Sequence, residues 1–89
     1  DFTRAIEIDP NYTKAYNNRG YSKDALKDYY GAISDYTRAI EIDPNYALGF
    51  ANRGSAKESI GDMQGACDDW RKATSLGDKD AAKWVRNQC

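Results

Sequence analysis

Apolar and small side chains recur along the chain at spacings of three and four. Tyr16 and Gly20 form one such pair, Ala32 and Tyr36 another, and Ala39 and Ile40 continue the series. That spacing puts them on one side of an α-helix. No stretch alternates with period two, so no strand is predicted. Asp9-Pro10-Asn11 and Asp43-Pro44-Asn45 interrupt the pattern. Proline cannot continue a helix and restricts the residue before it. Asp28 before Tyr29 and Asp62 before Met63 stand where N-caps are expected. Gly77 follows Leu76 and suits a left-handed helix end. The pattern predicts helical segments over about 1–9, 13–26, 29–42, 47–60, 63–76 and 79–88.

The same residues return at a fixed offset. Asp1 through Tyr12 reappears as Asp35 through Tyr46, with only Phe2 changed, to Tyr36. The offset of 34 residues also relates Asn18-Arg19-Gly20 to Asn52-Arg53-Gly54 and Lys23 to Lys57. It relates Gly31-Ala32 to Gly65-Ala66, Asp35 to Asp69, and Ala39 to Ala73. Self-similarity at such a period is the signature of a repeat architecture.

A 34-residue helix–turn–helix unit with these small and aromatic positions resembles the tetratricopeptide repeat. Tyr16, Gly20, Ala32, Tyr36, Ala39 and Pro44 fit one full repeat; Phe50, Gly54, Ala66, Trp70 and Ala73 fit a second. The resemblance implies an all-α, right-handed helix–turn–helix solenoid with a C-terminal capping helix. Residues 1–89 then form one domain: the end of a partial repeat (1–12), full repeats over 13–46 and 47–80, and the cap (81–89).

Departures from the family pattern carry their own expectations. Arg19 and Arg53 replace its leucine, and Lys23 and Lys57 its tyrosine. Arginine and lysine four apart share a helix face. Ion pairs are expected from Arg19 to Asp35 and from Arg53 to Asp69; binding of an acidic ligand by these cations is the alternative. Gly77-Asp78 replaces the closing proline of the second repeat, as suits a terminal unit. Trp84 and Val85 should face inward and leave Lys79, Lys83 and Arg86 outside. Lys27 matches Gly61 of the next repeat, and a lysine in a left-handed turn costs about 1 kcal/mol.

Composition narrows the chemistry. Thirteen basic and fourteen acidic residues leave a net charge of -1, which gives no electrostatic case for nucleic acid or membrane partners. Histidine is absent, removing the commonest general base and metal ligand. No phosphate-cradling glycine loop is present, and Asp68 and Asp69 diverge on a helix. No catalytic residue, metal ligand or cofactor is therefore assigned, and the chain is not expected to be an enzyme. Two cysteines, Cys67 and Cys89, are too few for a disulfide framework. They read as free thiols in a reducing, cytoplasmic setting, with a disulfide as the alternative.

The family resemblance implies a protein-interaction scaffold that binds a peptide on its concave side. The first helix of each repeat lines that side. Lys14, Asn17, Tyr21 and Asp24 fall in phase with it, then Leu48, Ala51, Ser55 and Glu58. Asn18 and Asn52 stand where the family often bonds a ligand backbone. One subclass grips a C-terminal carboxylate, but only Asn52 and Arg86 match its cluster. Asn17, Tyr21 and Ala82 replace the subclass's lysine, asparagine and second lysine. First-type helices carry eight cations against three carboxylates, five net positive charges, so a weak preference for acidic peptides is expected.

The alternative is self-association. Phe2, Ala5 and Ile6 repeat core positions, and without a partner helix they would be exposed, an interface signal. Either the chain is a piece of a longer array or a second copy covers this edge. Residues 13–42 contain no proline, so a hairpin straightened at Lys27 would give a domain-swapped homodimer.

Overall fold

The computed structural model describes residues 2–9 and 12–89, apart from the side chains of Phe2, Ala5 and Ile8. Six helices follow one another: α1 (Phe2–Ile8), α2 (Thr13–Ala25), α3 (Tyr29–Ile42), α4 (Ala47–Ser59), α5 (Met63–Ser75) and α6 (Lys79–Gln88). The expected segments match these within two residues at each end, and no strand occurs among the described residues. Each helix packs on the next, and α2 also meets α4, the first helix of the following repeat. The result is an elongated stack, 39 × 25 × 16 Å.

Three turns are built alike. After α2, the N–H of Asp28 reaches back to the Lys23 carbonyl at 2.8 Å; after α4, Asp62 reaches Lys57 at 2.9 Å; after α5, Asp78 reaches Ala73 at 3.0 Å. This backward bond satisfies carbonyls that a helix end leaves unpaired, and it needs a left-handed residue just before. Lys27, Gly61 and Gly77 hold that place with φ of 66°, 85° and 101°. Each aspartate then caps the helix it opens, accepting from the N–H of Gly31, Gly65 and Ala81. The third such turn stands where the first repeat has its Asp43-Pro44 turn. It folds α6 back along α5.

Small residues let the helices approach closely. Tyr36 lies over Gly20, where a Cβ would sit 2.8 Å from its ring; Trp70 lies over Gly54, where a Cβ would sit 2.7 Å away. Ala32 and Ala56 are fully buried in the cluster around Tyr36, and Ala66, Ala73 and Ala81 in the cluster around Trp70. Trp84 of α6 packs on Trp70 with ring centroids 5.4 Å apart, and Val85 joins the same cluster, as the inward-facing expectation required.

Two expectations need correction. Cys67 and Cys89 are not free thiols but a disulfide, with Cα atoms 5.9 Å apart. The reason is the α5–α6 hairpin: each cysteine lies eleven residues from Asp78, so folding at that turn brings them together. The N-terminal edge also differs from expectation at Ile6, which is 9% exposed because α1 rests on α2. Phe2 and Ala5, the other two residues of that edge, lie outside the described side chains. The α2–α3 hairpin is closed at Lys27 rather than straightened.

Candidate functional site

Helices α2 and α4, followed by α6, present the expected binding residues. Lys14, Asn18, Tyr21, Leu48, Glu58 and Arg86 are exposed, and Asp24, Asn52 and Ser55 are partly so. Asn17 and Ala51 do not belong to an open surface: each is 2% exposed. Their helix phase is right, but α2 and α4 meet, and that contact covers Asn17.

Asn17 has a polar role instead. Its Oδ1 accepts from Asn52 Nδ2 at 3.2 Å. A primary amide donates through nitrogen and accepts through oxygen, so this bond fixes which way Asn52 faces. Asn52 Oδ1 is left as an acceptor. Ser55 donates its hydroxyl to the Ala51 carbonyl at 3.2 Å and keeps only acceptor capacity. Asp24 accepts from the Tyr36 hydroxyl at 3.4 Å. Burial pushes the Asp24 carboxyl above its ordinary range, and the Tyr36 bond partly offsets this. Burial and the nearby Asp24 charge push the Tyr36 hydroxyl well up.

The expected ion pairs are present and are larger than expected. Asp35 receives Arg19 through two bonds, both 2.8 Å, and Lys23 at 3.2 Å. Asp69 receives Arg53 at 2.8 and 2.7 Å and Lys57 at 3.0 Å. Both carboxylates are buried, with side chains 5% exposed. Bidentate bonding to Asp35 is the main cause that raises Arg19 further above its ordinary value. Arg53 also donates to Thr37 Oγ1 at 3.3 Å, tying the second repeat to α3. The guanidinium groups of Arg19 and Arg53 lie over the rings of Tyr16 and Phe50, each at 5.6 Å. These four cations are therefore structural, while Lys14 of α2 and Arg86 of α6 are exposed. The joining of Lys23 and Lys57 was legible in their four-residue spacing from the arginines. Thr37 had no such signal.

Among the described residues no cluster of three or more His, Cys, Asp or Glu side chains is placed to hold a metal ion. No helix among them is long and apolar enough to cross a membrane.

A sequence profile of the tetratricopeptide repeat matches residues 13–46. No curated protein sequence matches the chain. Among solved structures, the second tetratricopeptide domain of human RPAP3, in complex with the HSP70 peptide SGPTIEEVD, is 30% identical with a TM-score of 0.88. The match covers 96% of this chain and 72% of that one. The Arabidopsis OM64 domain is 29% identical with a TM-score of 0.88, covering 99% and 77%. The first such domain of Spaghetti (RPAP3), bound to the HSP90 peptide SRMEEVD, is 23% identical with a TM-score of 0.90, covering 96% and 69%.

Proposed function

Since this chain belongs to the tetratricopeptide repeat family, we propose that its concave face holds an extended segment of a partner protein. The observation that carries this reading is the Asn52 amide. Asn17 occupies its nitrogen, so its oxygen is set to accept a backbone N–H from a strand-like ligand. The peptide complexes of the RPAP3 domains support the same kind of partner.

Lys14 and Arg86 are exposed and give the ligand a preference for acidic side chains. A carboxylate clamp is not part of the proposal, because Asn17 and Ala82 lack the charges, and Tyr21 the amide, that it uses. The face spans two full repeats, so affinity should be modest; buried area does not convert directly into affinity. A scaffold role needs no catalytic group. The disulfide fits an oxidising compartment, where such bonds persist.

The test is fluorescence anisotropy with a labelled acidic dodecapeptide and its lysine-substituted counterpart. The acidic peptide should bind saturably and more tightly. Asn52→Ala should weaken it about three- to ten-fold, the loss of one hydrogen bond. Arg86→Glu should remove the acidic preference. Absence of saturable binding by either peptide would refute the proposal.

A further inference from the structure

We propose that Cys67 and Cys89 form a reversible redox latch that holds α6 against α5. Opened by a dithiol, the latch releases α6, uncovers the Trp70 side of α5 and carries Arg86 out of the binding face. The effect on peptide binding rests on the reading given above; the latch itself does not.

α6 has ten residues. Helices shorter than about 12–15 residues are marginal in water without tertiary support. Its support is α5, and the burial is concentrated in its first two turns. Ala81 is fully buried, Trp84 stacks on Trp70, and Val85 joins the cluster. The last residues, Arg86 to Gln88, are exposed. The N–H of Cys89 bonds only within its own helix, to the Val85 carbonyl. The cystine is thus the link from this end of α6 to α5. Cross-linking acts by restricting the open ensemble, so cutting it frees the end that packing holds least.

The two sulfurs are unequal. Cys89 is exposed, while Cys67 sits in the apolar cluster with Ala66, Trp70, Ala73 and Ala81. A thiolate of the dithiol attacks Cys89 Sγ, the Sγ–Sγ bond breaks, and Cys67 leaves with the electron pair and takes a proton. The reagent's second thiolate then attacks its own sulfur in the mixed disulfide and releases Cys89. The reagent ends as a cyclic disulfide, having supplied two electrons and two protons. Re-oxidation follows the same order in reverse, through the exposed Cys89.

The test is hydrogen exchange on the whole chain, oxidised and then in dithiothreitol, with Cys89→Ser as a permanently open variant. Thiol titration of the untreated protein should find no free thiols. Reduction should speed exchange of the α6 amides about ten-fold or more, leave α2 and α3 within about two-fold, and reverse on re-oxidation. Cys89→Ser should match the reduced chain. Two free thiols at the start, unchanged α6 protection, or an equal loss of protection along the whole chain would each overturn the latch. In the same samples the acidic dodecapeptide should bind more weakly after reduction. If α6 is released and peptide affinity does not change, the latch stands and the role of Arg86 in the binding face is overturned.

Discussion

The two full repeats share a frame and differ in what fills it. In each, a carboxylate on the second helix is held by an arginine and a lysine from the first, and an aromatic ring lies over a glycine. The first repeat uses Tyr36, whose hydroxyl finds Asp24. The second uses the larger Trp70, whose buried Nε1 has no hydrogen-bond partner. An unpaired buried donor is a penalty, yet Trp70 also gains Trp84 as a neighbour. The first repeat turns through a strained Lys27, the second through Gly61. The second also carries the cystine. Geometry and the common stability therefore come from the shared residues, while the difference in local stability comes from the unshared ones and favours the C-terminal half.

The largest effect should follow from removing a shared carboxylate. Asp35→Ala and Asp69→Ala each leave two cations facing each other with no acceptor between them. Breaking a buried pair on one side costs about 3–5 kcal/mol. The cations keep side-chain exposures of 19–33%, which places the loss near 3 kcal/mol. Urea denaturation should show similar losses for the two variants, slightly smaller for Asp69→Ala because Thr37 still accepts from Arg53. A loss under about 1 kcal/mol in either repeat would put that triad with ordinary surface ion pairs and break the idea of a common frame.

Most of this frame could be read from the sequence because it is written twice. The 34-residue offset fixes helices, turns and carboxylate pairs together, and comparison of Lys27 with Gly61 exposes the left-handed turn without coordinates. The binding face was less legible. Helix phase puts Asn17 and Ala51 on the inner side, but phase does not say how closely α2 and α4 approach, and their contact leaves Asn17 buried. The disulfide stood only as the alternative for a related reason. Two cysteines 22 apart carry no pairing signal until Gly77-Asp78 is recognised as a hairpin turn with the cysteines at equal distances from it. What repeats within the chain was visible; what depends on contact between non-equivalent helices was not.

Exchanging the turn residues should sharpen the contrast at a smaller scale. Gly61→Lys places a side chain at φ 85° and should cost about 1 kcal/mol. Lys27→Gly relieves the same strain, but glycine also gains freedom in the unfolded chain. The reverse exchange at Gly61 removes that same freedom, so the two shifts should be opposite in sign and similar in size, roughly half to one kcal/mol. Denaturation midpoints of the two variants, measured with the disulfide intact, test this symmetry. Shifts of the same sign would mean that the two turns do not share the left-handed strain and would break the comparison.

The smallest effect concerns Asp24 and depends on pH. Burial raises its carboxyl above the ordinary value, so the fold disfavours the charged form. A carboxyl raised in the folded state contributes its stability fully below the unfolded value, about 3.9, and loses that contribution as pH climbs through the folded value. Asp24→Asn should therefore raise the melting temperature slightly at pH 7 and leave it unchanged near pH 3. Tyr36→Phe should act in the opposite sense. It removes the hydroxyl that steadies the carboxylate, so its loss of stability should be greater at pH 7 than near pH 3. Equal losses at the two pH values would mean that the Tyr36 hydroxyl matters to packing alone. The contact with Asp24 would then no longer distinguish the first repeat from the second.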